Sequence, residues 1–278
     1  MNIYFKGDAP AQFLRAVGDG LAEVGMQVSY ISDSYALWAE SADDAAYSIF
    51  QDRMAVHPRS VSAVQLLDTH YWLFNGMGDD SQFDPFEVPE GAADGFFNGL
   101  RARTLIDFGY PFGMEDFVLV ALGSDEPVVE GLRPFSNADV VKHGMDHEPH
   151  RQIIVTAVDG LDASSLEIYR QQGRISISAA PIDRLLDACA FVVTQNSQVG
   201  LRAALHRKHG IQMAACGFHH LLRNPTRDQR IKKSFNRVHR DAPAFEKYVQ
   251  WLFEIQAIDA RKKTAPQEVL LKIQDLGW

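Results

Sequence analysis

Near the start of the chain, the spacing of apolar and polar residues predicts a β-α-β unit. Residues 3–5 form a short apolar run typical of a strand, and residues 26–31 are predicted to form a second strand. Between them, apolar residues recur every three or four positions, as on one face of a helix: Phe13, Leu14, Val17, Leu21 and Val24. A unit of this kind joins two parallel strands through a right-handed crossover. The segment therefore predicts an α/β fold.

The second half of the chain repeats this alternation. Residues 117–122 are a nearly continuous apolar run, which is typical of a strand buried on both faces of a parallel sheet. Further strands are predicted at residues 152–158, 175–178, 191–194 and 211–214, with helices at 161–172, 181–188 and 199–206. Strands that alternate with helices in this way predict a doubly wound sheet.

A length of 278 residues allows two domains of modest size, each with its own core. We predict one Rossmann-like half at residues 1–114 and a second at 115–241. The amphipathic segment 242–278 is expected to pack back onto the body. Residues 76–94, which are rich in Gly, Pro and acidic side chains, are predicted to form a long surface loop.

The overall charge favours some partners and excludes others. A net charge of −9 argues against general affinity for nucleic acid, because most of the surface would repel a phosphate backbone. Residues 223–240 are an exception, since basic side chains are concentrated there. This basic segment is interpreted either as a solvated helix surface or as a contact for an anionic acceptor or a membrane.

Two further features bear on the cellular compartment. No run of about 18 apolar residues occurs, and the N-terminus lacks the form of a secretory signal. The two cysteines, Cys189 and Cys216, lie in apolar surroundings and are interpreted as buried thiols. The sequence thus predicts a cytoplasmic protein that is neither exported nor membrane-spanning.

The most informative stretch is the turn at residues 194–200, which joins an apolar strand to a helix. The first N–H groups of a helix lack partners within it, and the helix dipole is positive at that end. A hydroxyl such as that of Ser197 adds a donor, so the turn is a candidate phosphate site. The alternative is that Asn196 and Ser197 form a plain helix cap.

Several segments are expected to converge on this turn. In a doubly wound sheet, ligands bind beyond the carboxyl ends of the strands. By that rule Gly123, Asp159, Ala180 and Asn196 would gather in one crevice. A loop carrying His219 and His220 would enter the same crevice, where His219 is a candidate contact for phosphate unless it is a plain surface histidine.

About a third of the chain resembles the capsule-polysaccharide biosynthesis glycosyltransferases, a bacterial group related to β-Kdo transferases. The family motif Thr-x-Asn-Ser-x-x-Gly is matched by Thr194, Asn196, Ser197 and Gly200. The helix that follows the motif in the family is matched by Leu201, Ala203 and Leu205. Residues 177–182 and 185–190 resemble the strand and helix that lead into the motif.

The resemblance implies the GT-B architecture, in which two Rossmann-like halves face each other across a cleft. It also implies that Asn196, Ser197 and Gly200 contact the phosphate of a nucleotide-activated sugar used in surface-polysaccharide synthesis. Two positions depart from the family pattern. Arg202 stands where the family has a Glu, and residues 155–159 lack the histidine of the family's His-Pro element.

Together the pattern and the resemblance predict a metal-independent glycosyltransferase. The leaving phosphate would be neutralised by Ser197, the N–H groups after Asn196, and Arg202. We favour Asp125 as the catalytic base, with Asp159 and Asp8 as alternatives and helix capping as the competing explanation for the first two. The predicted donor-binding set comprises Gly123, Ala180, Thr194, Asn196, Ser197, Gln198, Gly200, Arg202 and His219.

No metal and no cofactor are predicted, because the nucleotide sugar is itself the substrate. His143, His147 and His150 invite a metal interpretation, but Pro149 interrupts them and no matching carboxylate is apparent. The expected acceptor is a saccharide or a lipid-linked saccharide. Two other functions stay open: a catalytically inactive GT-B-like binding or assembly module, and an enzyme of phosphate ligands outside glycosyl transfer.

Overall fold

The computed structural model describes residues 1–32, 47–52, 59–74, 83–105, 117–123, 133–156, 173–195, 197–214, 220–225, 230–240 and 243–277. The chain divides into two compact units. The N-terminal unit comprises Met1–Phe83 and Gln250–Trp278, and the C-terminal unit comprises Asp84–Val249. Each unit has its own largely or wholly parallel sheet, which confirms the predicted α/β class with two Rossmann-like halves.

The elements follow one another in an α/β order. The strands are β1 (Asn2–Phe5), β2 (Ser29–Ser32), β3 (Ser48–Gln51), β4 (Ser60–Leu66), β5 (Thr69–Leu73), β6 (Phe117–Ala121), β7 (Gln152–Thr156), β8 (Ile175–Ser178), β9 (Phe191–Thr194), β10 (Gly210–Gln212) and β11 (Ala257–Asp259). The helices are α1 (Gln12–Glu23), α2 (Glu90–Thr104), α3 (Asn137–His147), α4 (Ile182–Ala188), α5 (Ser197–Leu205), α6 (Ile231–Arg237), α7 (Phe245–Gln250) and α8 (Ala265–Asp275), with a π-helical segment at Trp251–Gln256.

The N-terminal unit is built on a six-stranded sheet of order β11-β5-β4-β3-β1-β2. Strands β1 to β4 pair in parallel, whereas β5 runs antiparallel to β4, and β11 runs antiparallel to β5. Leu14, Val17 and Leu21 of the predicted apolar face of α1 are buried. Val24, also predicted on that face, follows the helix and is 58% exposed. Val269 and Ile273 of α8 join the same core, so this helix packs against the N-terminal sheet.

The C-terminal unit is built on a five-stranded, fully parallel sheet of order β10-β9-β6-β7-β8. Apolar side chains are buried on both faces of its central strand, since Val118 and Val120 belong to one core cluster and Leu119 and Ala121 to another. This two-sided burial explains the continuous apolar run in the sequence. The predicted strands at residues 117–122, 152–158, 175–178, 191–194 and 211–214 are confirmed, with small differences at the ends of the first and last. Residues 157 and 158 lie outside the described residues.

Two other predictions meet different outcomes. The surface loop predicted at residues 76–94 is wrong at its end, because α2 begins at Glu90. Ala93 is buried on that helix, and Phe97 and Leu100 continue its apolar face. The Gly and acidic residues that predicted a loop are tolerated there because the buried side of the helix is apolar and supplies the packing. The helix predicted at residues 161–172 lies outside the described residues.

Candidate functional site

The order of strands in the C-terminal sheet predicts a crevice beyond the carboxyl ends of β6 and β9. From β6 the chain continues to β7 on one side, whereas β9, on the other side, leads outward to β10. A parallel sheet whose connections leave in opposite directions leaves a gap at this switch point, and ligands of doubly wound proteins bind there. The turn predicted from the sequence follows β9 and therefore lies at this gap.

Hydrogen bonds hold the floor of the crevice in place. The buried hydroxyl of Thr194, the last residue of β9, donates to the carbonyl oxygen of Ala121 at 2.8 Å. The N–H of Leu122 donates to the hydroxyl of Thr156, at the end of β7, at 3.3 Å. The Thr194 hydroxyl is thus engaged by the neighbouring strand, and it fixes the separation of the two strands that border the crevice.

A buried guanidinium lies at the same place. Arg133 is 5% exposed; its Nε donates to Oε1 of Gln195 at 2.8 Å, and one Nη donates to Oδ1 of Asn137 at 3.2 Å. Nδ2 of Asn137 in turn donates to the carbonyl oxygen of Gly123 at 3.2 Å. These contacts link the segment after β6 to the segment after β9. They place the guanidinium of Arg133 at the switch point, with two amide side chains among its hydrogen-bond partners.

Helix α5 starts directly beyond these groups, at Ser197, and so brings its N-terminus to the crevice. Its first N–H groups and the positive end of its dipole favour an anion. Gln198 and Gly200 lie in its first turn, where Gln198 is partly exposed and Gly200 is buried. Because Gln195 contacts Arg133, the guanidinium and the start of the helix belong to one site. Asn196 lies outside the described residues.

Arg202 lies further along α5, and the structure pairs it with a carboxylate. One of its Nη atoms lies 2.9 Å and 3.1 Å from the two carboxylate oxygens of Asp183 on α4. Nε2 of His206 lies 3.4 Å from Oδ1 of Asp183. Burial on its own would raise the pKa of Asp183, but contact with His206 and Arg202 outweighs it and holds that pKa below the ordinary value. A contact between Arg202 and a donor phosphate stays a prediction.

The other predicted site residues are placed as follows. Gly123 comes after β6 and contributes its carbonyl oxygen to the Asn137 contact. Ala180 follows β8, which is separated from β6 by β7, and its N–H donates to the hydroxyl of Ser178 at 3.2 Å. Asp125, Asp159 and His219 lie outside the described residues, so their roles stay predictions.

Arg133 and Asn137 are the members of this site that the sequence interpretation missed, whereas Gln195 lies in the predicted turn but was not among the predicted donor-binding residues. The sequence held a signal for Arg133 and Asn137, because Arg133 comes shortly before the helix that follows the central strand. Ser136 caps that helix by accepting from the N–H of Asp139, and the Asp139 carboxylate accepts from the N–H of Ser136. A cation just before such a capped start is a candidate for the carboxyl edge of the sheet.

The histidines of α3 pack against aromatic rings. The rings of His143 and His147 are stacked with centroids 5.9 Å apart, and they contact Phe135 and Phe235 respectively. Burial lowers the pKa of both histidines. Within the part of the chain that the structure describes, no group of three or more His, Cys, Asp or Glu side chains is arranged to hold a metal ion.

None of the helices in the described ranges combines the length and the apolar character needed to cross a membrane. No protein-family model matches the sequence, and no curated protein is recognisably similar to it.

Solved structures are similar over nearly the whole chain. KpsC of Thermosulfurimonas dismutans, a β-Kdo 2,7 transferase, aligns with a TM-score of 0.51 at 10% identity over 100% of this chain and 99% of that protein. MnaA of S. aureus, solved with UDP, aligns with a TM-score of 0.41 at 8% identity over 98% and 95% of the two chains. UDP-GlcNAc 2-epimerase of Methanocaldococcus jannaschii aligns with a TM-score of 0.33 at 8% identity over 99% and 100%.

The likeness to KpsC is the one of these three that reaches the level of a shared fold, and it extends over both sheets. The predicted resemblance to the GT-B glycosyltransferases is therefore confirmed at the level of the fold. The chain has the two-sheet α/β fold of the GT-B glycosyltransferases.

Proposed function

We propose that this protein is a metal-independent glycosyltransferase that binds a nucleotide-activated sugar at the crevice beyond β6 and β9. The reaction would serve the synthesis of a bacterial surface polysaccharide, such as a capsule, in the cytoplasm. The fold supports this proposal, because KpsC, which shares it, is a β-Kdo 2,7 transferase.

The observation that carries the proposal is the buried guanidinium of Arg133, which contacts Gln195 just before the start of α5. A guanidinium can donate two parallel hydrogen bonds to a phosphate, and such charge-assisted bonds are strong in a site that excludes water. Gln195 and Asn137 hold the guanidinium in one orientation. This fixed orientation supports a contact between the guanidinium and the anionic group that a nucleotide sugar carries between its base and its sugar.

The proposed reaction needs few protein groups. An acceptor hydroxyl attacks the anomeric carbon of the donor sugar while the bond from that carbon to the phosphate oxygen breaks. The phosphate leaves with the bonding electrons, and Arg133 and the N-terminus of α5 stabilise its added negative charge. The proton of the acceptor hydroxyl passes to a carboxylate, and we propose that Asp125 supplies this carboxylate.

Binding of nucleotides tests the donor site. We expect uridine or cytidine nucleotides and their sugars to raise the melting temperature of the protein, because a ligand that binds only the folded state stabilises it. Arg133→Met removes the charge but keeps an unbranched side chain, and should weaken nucleotide binding about 10- to 100-fold, the usual range for a hydrogen bond to a charged group. Isothermal titration calorimetry measures this loss.

Arg174→Met is the matched control. Arg174 is also partly buried in the C-terminal unit, but it donates to the backbone carbonyl oxygens of Met145 and Arg151. This variant should lower stability and leave nucleotide affinity unchanged. Equal loss of affinity in both variants, or no stabilisation by any nucleotide, would contradict the proposed donor site.

A nucleotide-binding module without catalysis is the second candidate. It is favoured by the ion pair between Arg202 and Asp183, since an engaged guanidinium replaces the Glu of the family motif. A sugar-transfer assay with radiolabelled donors separates the two functions. Transfer that is lost in Asp125→Ala supports the enzyme, whereas nucleotide binding without transfer from any donor supports the module.

The acceptor that we propose is a saccharide carried on a lipid. An acceptor of that kind lies at a membrane, so the protein would need a surface that brings it there.

A further inference from the structure

One face of the C-terminal unit carries a concentrated positive charge. We define the basic surface as the side chains of α6 and its flanks that are both exposed and cationic: Arg230, Lys232, Lys233, Arg237 and Arg240. Together with Asn236 they line a shallow groove of about 570 Å³. Within the described residues, the basic segment predicted at residues 223–240 is thus represented mainly by residues 230–240.

The amphipathic character of α6 explains why these charges point outward together. Ser234, Phe235 and Val238 are buried on the opposite side, and Phe235 contacts His147 of α3. The packing of this apolar side fixes the orientation of the helix and so directs the cations to solvent. No Asp or Glu occurs in residues 230–240, although the whole chain has a net charge of −9. The positive charge is therefore segregated on one face of an acidic protein.

We propose that the basic surface docks the protein on the anionic lipid headgroups of a membrane. Clusters of four to eight Lys and Arg side chains on a helix are typical of surfaces that bind acidic lipids. The long side chains can follow a fluid layer of headgroups without a defined pocket. Charges separated by more than about 8 Å are largely screened at physiological ionic strength, so acidic side chains beyond that distance oppose this contact only weakly.

Two other partners fit the basic surface less well. Small anions are bound in concave sites with a few converging polar groups, whereas this groove is shallow and lined by exposed side chains of one helix and its flanks. Proteins that bind single-stranded nucleic acid stack its bases on aromatic rings, but the ring of Phe235 is buried. Proteins that bind nucleic acid are also commonly basic as a whole, and this chain is acidic.

Vesicle co-sedimentation tests the proposal without any nucleotide or acceptor. The full chain is expected to bind vesicles of phosphatidylglycerol and phosphatidylethanolamine at low salt, to be released at high salt, and to leave vesicles of phosphatidylcholine unbound. The variant Lys232→Glu with Lys233→Glu should bind the anionic vesicles roughly 30-fold more weakly or worse, because each Lys near a membrane contributes about a factor of five.

Lys262→Glu with Lys263→Glu is the matched control. These two lysines are also adjacent and exposed, but they lie in the N-terminal unit, and the change in net charge is the same. The control should bind anionic vesicles like the wild type. Arg237→Gln with Arg240→Gln is a second, milder variant in case the first one fails to fold.

Three results would overturn the proposal: no binding of the wild type to anionic vesicles, equal weakening in the control, or tighter binding of the protein to a single-stranded homopolymer RNA than to the anionic vesicles at the same salt concentration. The proposal is independent of the donor site. Arg133→Met should bind vesicles normally, and the Lys232 and Lys233 variant should bind nucleotides normally, so the failure of either proposal is distinguishable from the failure of the other.

Discussion

The two sheets follow the same construction rule, but their carboxyl edges carry different chemistry. In the C-terminal sheet the switch point between β6 and β9 carries the guanidinium of Arg133. In the N-terminal sheet the corresponding switch point lies between β1 and β3, and Asp52 follows β3 directly. The carboxylate of Asp52 lies 3.3 Å from Nε2 of His70. One edge thus carries a guanidinium held by amide side chains, and the other carries a carboxylate paired with an imidazole.

Local backbone geometry fixes the carboxylate of the N-terminal edge. Asp52 has a φ of 55°, in the left-handed region that few non-glycine residues adopt. Its Oδ1 accepts a hydrogen bond from the N–H of Gln65 at 3.0 Å. Burial would raise the pKa of Asp52, but the contacts with His70 and Gln65 outweigh it and lower that pKa. A strand order that leaves a crevice therefore does not decide its charge, which depends on the side chains that follow each strand.

The largest effect expected concerns the core of the N-terminal unit. Trp72 is fully buried and packs edge-on against Phe13, with ring centroids 5.8 Å apart. Trp72→Ala should lower the free energy of unfolding by about 3–5 kcal/mol, because it leaves a cavity that the sheet cannot close. Leu271→Ala, at a 62% exposed position on α8, should change it by less than about 0.5 kcal/mol. Urea denaturation followed by circular dichroism measures both, and equal losses would contradict the assigned core.

A smaller effect separates the carboxylates of the two units. Asp183→Asn removes one charge of a buried ion pair and should lower the free energy of unfolding by about 2 kcal/mol. The loss is limited because the partner Arg202 is 23% exposed, so water can solvate part of its guanidinium. Asp52→Asn should cost about 1 kcal/mol, because Asp52 and His70 are each roughly a quarter exposed. Denaturation at pH 7 measures the loss of stability in each variant. A larger loss in Asp52→Asn than in Asp183→Asn would show that the N-terminal pair contributes more to stability.

The same pairs predict a dependence on pH. Both carboxyl groups have a folded-state pKa below the ordinary value of 3.8. The stability that they contribute is therefore fully present above that value and is lost as the pH falls through the lowered pKa. Each Asn variant should approach the wild type in stability at the acidic end of this range. A difference that persists unchanged there would contradict the charge-based explanation.

The smallest effects concern the helix caps of the two units. Ser136→Ala removes the capping box of α3 and should cost about 1 kcal/mol. Helix α1 begins after Ala11, which makes no side-chain capping bond. Ala11→Ser should therefore stabilise the N-terminal unit by about 0.5–1 kcal/mol. Thermal melts of the two variants measure these opposite shifts, and shifts of the same sign would show that local capping does not control either helix.

Much of the fold could be predicted from the sequence because strands and helices leave different local patterns. The apolar run of β6 and the helical spacing of α1 each reflect burial of residues that are close in the chain. The beginning of α2 at Glu90 was missed, because the composition of the preceding segment is that of a loop and the packing of Phe97 is not a local property.

The sequence by itself determined the α/β class, the strand-to-helix turn after Thr194, and the concentration of positive charge around α6. Only the tertiary structure decided that Arg133 meets Gln195, 62 positions away, and that Arg202 meets Asp183. The physical reason is that local periodicity reports which side of an element is buried, whereas strand order determines which ends become neighbours. The residues that define the candidate site come together only because β6 and β9 are adjacent in the folded sheet.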